Sequence, residues 1–168
     1  MLAFTRKTDY ALVALARLAE KGPPPGAAAL SARRIAERDT VPVAVLMNVL
    51  KSLVGAGLVT STRGARGGYT LAKTAERITV RDVIEAMEGP VKIAACCGGD
   101  EEAACRDCNV FLHCPVTRSV RKLNDRIQQL LSDVTLHDLM SDPIDVIGPV
   151  PAFIPAPARL FSRTRGER

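Results

Sequence analysis

Tryptophan is absent from this chain of 168 residues, and two Tyr and four Phe are its only aromatics. A core without large rings must be built from Leu, Val, Ile and Ala, which the 47% hydrophobic content supplies. With 24% charged residues the composition is that of a folded protein, which excludes a chain disordered throughout. Long apolar runs are missing too. A membrane span needs ~18–20 such residues, and the longest charge-free stretch, Val146 to Ala158, is broken by Pro149, Pro151, Pro155 and Pro157. No basic start followed by an apolar segment marks a secretory signal, so the expected compartment is the cytoplasm, with no membrane partner. Cysteines number five, so they cannot all pair within the chain. In a reducing compartment, clustered thiols bind metal more often than each other.

Positive charge, by contrast, is present and unevenly placed. Residues 1–77 hold 12 basic and 5 acidic side chains, a net of +7, whereas residues 78–168 carry 11 and 13, a net of −2. A basic N-terminal part points to a polyanionic partner.

The pattern of residues predicts mainly α structure with one small β-hairpin. A first helix is expected over 8–21, with Thr8 as cap, Asp9 in the first turn and Ala11, Ala14, Leu15 and Leu18 on its buried face. GPPPGAAA at 22–29 reads as a loop. A second helix starts behind Ser31, stapled by Leu30 and Ile35. A third runs from about Pro42 to Val54, with Val45, Leu46, Val49, Leu50 and Leu53 apolar, and ends at Gly55-Ala56-Gly57. Leu58–Ser61 and Tyr69–Leu71 predict strands around the turn RGARGG. Thr79 to Asp82 form a capping box with Ile78 and Val83 as staple, opening a helix that stops at Gly89-Pro90. From Pro115 on, Val116, Val120, Leu123, Ile127, Leu130 and Val134 recur at steps of 4 and 3, the a/d seam of a long helix that needs a partner. The Pro-rich segment 140–168 is expected to be unstructured. The division is thus 1–77, a DNA-binding head; 78–139, a helix, a Cys-rich loop and a dimerisation helix; and 140–168, a tail.

Three helices followed by an Arg-tipped hairpin describe a winged helix-turn-helix. Its third helix enters the major groove of duplex DNA, and its wing meets phosphates or the minor groove. The candidate contacts are Arg33 and Arg34 on the second helix, Asn48, Lys51 and Ser52 on the third, and Arg63 and Arg66 on the wing. Gly64, Gly67 and Gly68 permit the tight turn and close backbone approach. The loop CCGGDEEAACRDCNVFLHCPV holds every cysteine of the chain. Cys105-x-x-Cys108 followed by Cys114 has the spacing of metal ligands, and the pair Cys96/Cys97 supplies a further thiolate. Zinc and iron–sulfur clusters both take such donors, so the spacing leaves both open beside a metal-free disulfide switch.

The segments KTDYAL, IAE in the second helix, AGLVTSTRGARGGYTLA and ITVRDVIEAMEGP, followed by the Cys-rich loop, resemble the Rrf-two family of bacterial transcription regulators, in its IscR- and NsrR-like branches. The resemblance spans roughly residues 1–139. It implies a homodimer joined by the long helix, with two winged helices on a palindromic operator. It also implies a two-iron or four-iron cluster sensing iron–sulfur, redox or nitric-oxide status, with Cys108 and Cys114 matching the last ligand interval and Cys97, or Cys96 in its place, the first. Cys105 is additional to that pattern and completes an all-thiolate set. Asp9 stands where nitric-oxide-sensing relatives place a ligand from the partner subunit. His113 precedes Cys114, where IscR-like members carry a ligand His after the last Cys. One departure concerns the third helix, where Pro42, Val45 and Met47 replace the family's serine and its polar or aromatic residues.

An enzyme is not expected. Cys105-x-x-Cys108 lies in no strand-to-helix unit of the thiol-oxidoreductase kind, His113-Cys114 adjacency creates no catalytic pair, and no phosphate-binding glycine loop follows a strand. His137 reads as a surface residue in the turn TLHDL at 135–139. The remaining alternative is a DNA-binding regulator that uses zinc or bare thiols instead of a cluster.

Overall fold

The computed structural model describes residues 4–25, 27–64, 67–97, 108 and 113–141. Among the described residues, six α-helices and one hairpin follow in the order α1 (Arg6–Ala19), α2 (Ala32–Asp39), α3 (Val43–Gly55), β1 (Val59–Thr62), β2 (Gly68–Leu71), α4 (Val80–Glu88), α5 (Thr117–Asp133) and α6 (Leu136–Met140). Short 3-10 turns lie at Ala75–Arg77 and Ala95–Cys97. Among the described residues no helix is long and apolar enough to cross a membrane. Arg66, Cys105 and the Pro-rich segment from 142 onward lie outside the described residues.

The aliphatic core is the one the sequence implies. Ala11, Ala14, Leu15 and Leu18 of α1 meet Ile35 of α2, Leu46, Val49, Leu50 and Leu53 of α3, Leu58, Val59 and Leu71 of the hairpin, and Ile78 and Val83 at α4. Leu136 of α6 joins the same cluster, so one core runs across position 77. Ser31 caps α2, its hydroxyl accepting from the Arg34 N–H at 3.3 Å, and the staple residues Leu30 and Ile35 are both buried. Thr40 closes α2 in the left-handed conformation, φ 54°, making the tight turn into α3.

The hairpin pairs Val59 with Leu71 and Thr62 with Gly68. It is also tied to the chain entering α2, where Leu30 and Tyr69 exchange two backbone hydrogen bonds of 3.0 and 2.9 Å. That close approach is the reason for glycine at position 68: a Cβ there would lie 2.8 Å from the Leu30 carbonyl oxygen. The wing is thereby fixed to the helix-turn-helix and not merely appended to it.

Two expectations are corrected. First, α1 starts two residues early, at Arg6, and Thr8 is not its cap. Thr8 is fully buried inside the helix and its hydroxyl donates to the Glu88 carboxylate at the end of α4; the same oxygen, Oε1, accepts from the Thr5 N–H at 3.1 Å. The start of α1 is capped in tertiary fashion by a carboxylate 83 residues away, which local sequence cannot reveal. Second, the turn expected at 135–139 is helical. The long helix ends where its seam does, with Val116 and Val134 as its flanking residues, and after Val134 the chain turns extended, so that Thr135 bridges Thr79. Thr135 and Asp138 then form a second capping box, matching Thr79 and Asp82, and TLHDL is the start of a short helix instead of a turn. His137 is exposed, as expected, with Nδ1 3.6 Å from Glu76.

The Thr8 hydroxyl and the Thr5 N–H hold the Glu88 carboxyl below the usual carboxylate range. A depressed folded-state pKa contributes stability above the unfolded value, about 4.3, and loses it as pH falls through the folded value. Thr8→Val should therefore cost about 1 kcal/mol at pH 7, discounted because Glu88 is solvent-exposed. Its stability gap to the wild type should close as the buffer is taken below about pH 4. Urea denaturation across that pH range measures both.

Candidate nucleic-acid interface and cysteine loop

Buried Leu46, Val49, Leu50 and Leu53 anchor α3 and leave its opposite side to solvent. Asn48, Lys51 and Ser52 all stand on that exposed side. Arg63 is exposed at the hairpin tip, and Arg33 and Arg34 are exposed on α2. Arg33 is engaged with Glu37 at 3.3 Å, one helical turn along, in a pair so exposed that it holds the side chain only weakly. Two further arginines are committed to the fold. Arg17 makes a forked contact with Asp39, with Nε 3.0 Å from both carboxylate oxygens and Nη2 2.5 Å from Oδ1, and reaches Glu20 at 2.7 Å. Arg38 takes the other oxygen of Glu20 at 2.7 Å. Arg17 holds the Asp39 carboxyl below its ordinary pKa, and the cluster locks the end of α1 to the end of α2.

The cysteine loop is organised from its two ends. The segment 91–97 runs along α5 with almost no regular structure, so its backbone groups need partners from elsewhere. Side chains on one face of α5 provide them. Gln128 Nε2 donates to the Val91 carbonyl at 2.9 Å, the Ile93 N–H donates to Asn124 Oδ1 at 3.2 Å, and Arg121 Nε donates to the Cys96 carbonyl at 2.8 Å. Asn124 is 2% exposed. In the sequence these three residues are polar positions beside the more conspicuous apolar seam. Their spacing of 3 and 4 along a second face was the available signal.

The clip places Cys96 and Cys97 against the first turns of α5, with Cys97 Sγ 4.0 Å from the Val120 carbonyl. Burial pushes the Cys97 thiol up, and neighbouring Cys96 adds to the effect. At the other end of the loop, half-buried Cys114 sits just before α5. The Thr117 hydroxyl, which has no partner of standard hydrogen-bond geometry, lies beside that sulfur. Together with the backbone N–H groups of Val116 and Thr117 it favours the thiolate and draws the Cys114 pKa down. Cys108 is half-buried and His113 is exposed. Asp9 is exposed in the first turn of α1. Among the described residues, no three His, Cys, Asp or Glu side chains gather as a metal site. The donor chemistry nonetheless suits a soft metal centre: four half-buried free thiols, one of them biased toward thiolate.

The outer side of α5 is apolar, with Val116, Leu123 and Leu130 exposed by 54%, 52% and 49%. The same helix thus faces the cysteine segment with polar side chains and solvent with half of the seam.

The family model described as an iron-dependent transcriptional regulator, Rrf2, matches residues 4–142. The chain belongs to the Rrf2 (Rrf-two) family of transcriptional regulators. It is 34% identical over 144 residues to the HTH-type transcriptional regulator IscR of Vibrio atlanticus, covering 84% of this chain and 76% of that one. Among solved structures it resembles CymR, the global cysteine regulator of Bacillus subtilis, with TM-score 0.60, 31% identity and coverage of 83% and 97%. It also resembles T. potens IscR, with TM-score 0.56, 31% identity and coverage of 83% and 86%. These relatives are named as transcriptional regulators and not as enzymes, and the mainly α winged-helix fold is shared with them.

Replacing Asn124 by Leu keeps the volume but removes the acceptor for the Ile93 N–H. Asn124→Leu should cost about 1–3 kcal/mol in chemical denaturation. It should also raise the rate at which iodoacetamide alkylates Cys97, since the segment that seats it is released.

Proposed function

We propose that this Rrf2-family regulator binds operator DNA as a cytoplasmic homodimer and that its cysteine loop holds a thiolate-ligated iron–sulfur cluster whose state tunes that binding. The observation that carries the reading is the double role of α5. Both ends of the cysteine loop rest on its first turns, and its opposite face exposes Val116, Leu123 and Leu130 at seven-residue intervals. A heptad stripe of that kind buries itself by pairing with a second copy. In the dimer, a helix-turn-helix pair meets successive half-sites, and affinity depends on how far apart the two α3 helices stand.

Cys97, Cys105, Cys108 and Cys114 are the proposed ligands, with Cys96 replacing Cys97 as the alternate. A bound cluster supplies a redox- and nitric-oxide-sensitive crosslink between the two ends of the loop. The protein's own part is mechanical. The Arg121–Asn124–Gln128 clip keeps Cys96 and Cys97 on α5, the N-terminus of α5 favours thiolate at Cys114, and the loop joins the head to the dimer helix. A change at the thiolates then biases the angle between head and helix. A coupling of ~1–3 kcal/mol changes operator affinity by roughly 5–150-fold. Asn48, Lys51 and Ser52 are the proposed groove contacts; Arg33, Arg34, Arg63 and Arg66 are the proposed phosphate or minor-groove contacts.

A second reading, a zinc or bare-thiol switch on the same scaffold, is favoured by the likeness to a global cysteine regulator. Anaerobic purification separates the two. The cluster reading expects a coloured protein with iron and sulfide. It expects Cys108→Ala and Cys114→Ala to lose the visible absorption and shift operator affinity together in a gel-shift titration. A colourless protein whose affinity responds to zinc chelation or dithiothreitol supports the second reading. Operator affinity indifferent to metal and thiol state sinks both.

The dimer has its own test. Leu123 is exposed in the single chain, so Leu123→Lys should leave helix content unchanged while halving the mass seen by sedimentation equilibrium. Losing the paired head should weaken operator binding by roughly 100-fold or more.

A further inference from the structure

The exposed side of α3 is not chemically uniform. Its second half presents Asn48, Lys51 and Ser52. Its first turn and a half presents hydrocarbon: Val43, Val45 and Met47 are 41%, 36% and 53% exposed, and Ala44 is exposed between them. At 3.6 residues per turn, Ala44, Met47, Asn48 and Lys51 fall in one stripe opposite the buried Leu46, Val49, Leu50 and Leu53. Four neighbouring apolar side chains left in water at the start of a well-packed helix mark a surface that meets something.

Its surroundings identify the class of partner. Exposed Lys51 follows on the same stripe of α3, exposed Arg63 stands at the tip of the hairpin that packs on α3, and exposed Arg33 and Arg34 lie on the preceding helix, within a head of net charge +7. A partner must therefore be polyanionic outside and present small apolar groups within reach of a helix. The major groove of B-DNA fits that description, because the C5-methyl of thymine is the apolar group on its floor. The first residues of the second helix of a helix-turn-helix are the ones that reach base edges.

Resting on the DNA-binding reading above, we propose that Val43, Ala44 and Met47 read thymine methyl groups, while Asn48 reads an adenine about two base steps beyond the thymine met by Ala44. Four helical residues advance ~6 Å, close to twice the ~3.4 Å rise of a strand, and an Asn side chain pairs with adenine N6 and N7. The half-site then contains thymines followed closely by an adenine, and hydrocarbon contact replaces the polar readout that the family pattern leads one to expect on this helix.

The test uses the full chain, purified anaerobically, and the duplexes it selects from a random-sequence pool. Each thymine of the selected half-site is then replaced by deoxyuridine, which pairs identically and lacks only the C5-methyl. The wild type should lose about fourfold in affinity for each contacted thymine, the value of one buried methyl-sized group. Thymines outside the half-site should show no effect. Met47→Ser and Val43→Ser, both at exposed positions, should fold normally by circular dichroism and bind the deoxyuridine duplex about as well as the wild type does. Each should no longer distinguish thymine from deoxyuridine at the one position its side chain meets, and should keep the discrimination at the others. Equal wild-type affinity for thymine and deoxyuridine duplexes would overturn the inference while leaving DNA binding intact, and so would serine variants that keep the discrimination at every thymine. Failure to enrich any duplex would overturn the DNA-binding reading, and the inference with it. Serine variants that change the oligomeric mass while still discriminating would reassign the apolar turn to contact between copies.

Discussion

Asn124 cannot be buried unsatisfied, and that requirement organises the C-terminal half of the molecule. A side-chain amide at 2% exposure loses its water, and an unpaired one costs about 1–3 kcal/mol. Its oxygen is met by the Ile93 N–H, a backbone group that has no helix or strand of its own to pair with. Each group resolves the other's deficit. With Gln128 and Arg121 holding the carbonyls of Val91 and Cys96 on either side, α5 serves as a template for an irregular segment. The position of the first two cysteines is thus a property of α5, not of the loop.

The template is fixed to the head at its far end as well. Val80 N–H donates to the Val134 carbonyl at 2.9 Å and Leu136 N–H to the Ile78 carbonyl at 2.8 Å, with Thr79 and Thr135 bridged between two like capping boxes. Leu136 enters the main core beside Ile78. Because α5 is held at its C-terminal end by backbone hydrogen bonds and along its length by the clip, it has one polar inner face and one apolar outer face. The apolar face is only partly consumed within the chain. Val120, Ile127 and Val134 are half-buried, whereas Val116, Leu123 and Leu130 stand out, so the two lines of the seam serve different surfaces.

Most of the head was legible in the sequence because its signals are local. The Ser31 cap, the Leu30–Ile35 staple, the Thr79–Asp82 box and the 3-4 spacing of buried residues in α1 and α3 each involve neighbours in the chain, and each appears as read, except that Val45, read with the apolar face of α3, is exposed beside Leu46. What escaped depends on distant partners. Thr8 looks like a cap beside Asp9, but Glu88 makes it an interior residue. TLHDL looks like a turn, but the pairing of Thr135 with Thr79 and the seating of Leu136 in the core make it the start of a short helix. The clip residues look like ordinary polar positions of a dimer helix, because nothing in their spacing names the backbone they will hold. The interface was legible as residue types on an exposed face. The exposure of the first turn of α3 became visible only when Leu46 and Val49 were placed in the core.

Net charge also reads differently once the fold is known. The +7 of the first 77 residues includes Arg17 and Arg38, which are occupied by Asp39 and Glu20 at the joint of α1 and α2, and Arg33, which faces Glu37. Among the described residues, Arg34, Lys51 and Arg63 make no ion pair, and they stand on α2, α3 and the hairpin tip. The fold neutralises basic residues where α1 and α2 must be locked and leaves others, Lys51 on α3 and Arg63 at the hairpin tip among them, outside the ion pairs of the described residues. Uncompensated positive charge of that kind attracts a polyanion. Because phosphate contacts orient a duplex without reading it, sequence preference must come from what lies between the charges. On α3 that is a short hydrocarbon turn followed by Asn48, so in the proposed complex discrimination there would turn on shape and methyl contact more than on hydrogen bonds.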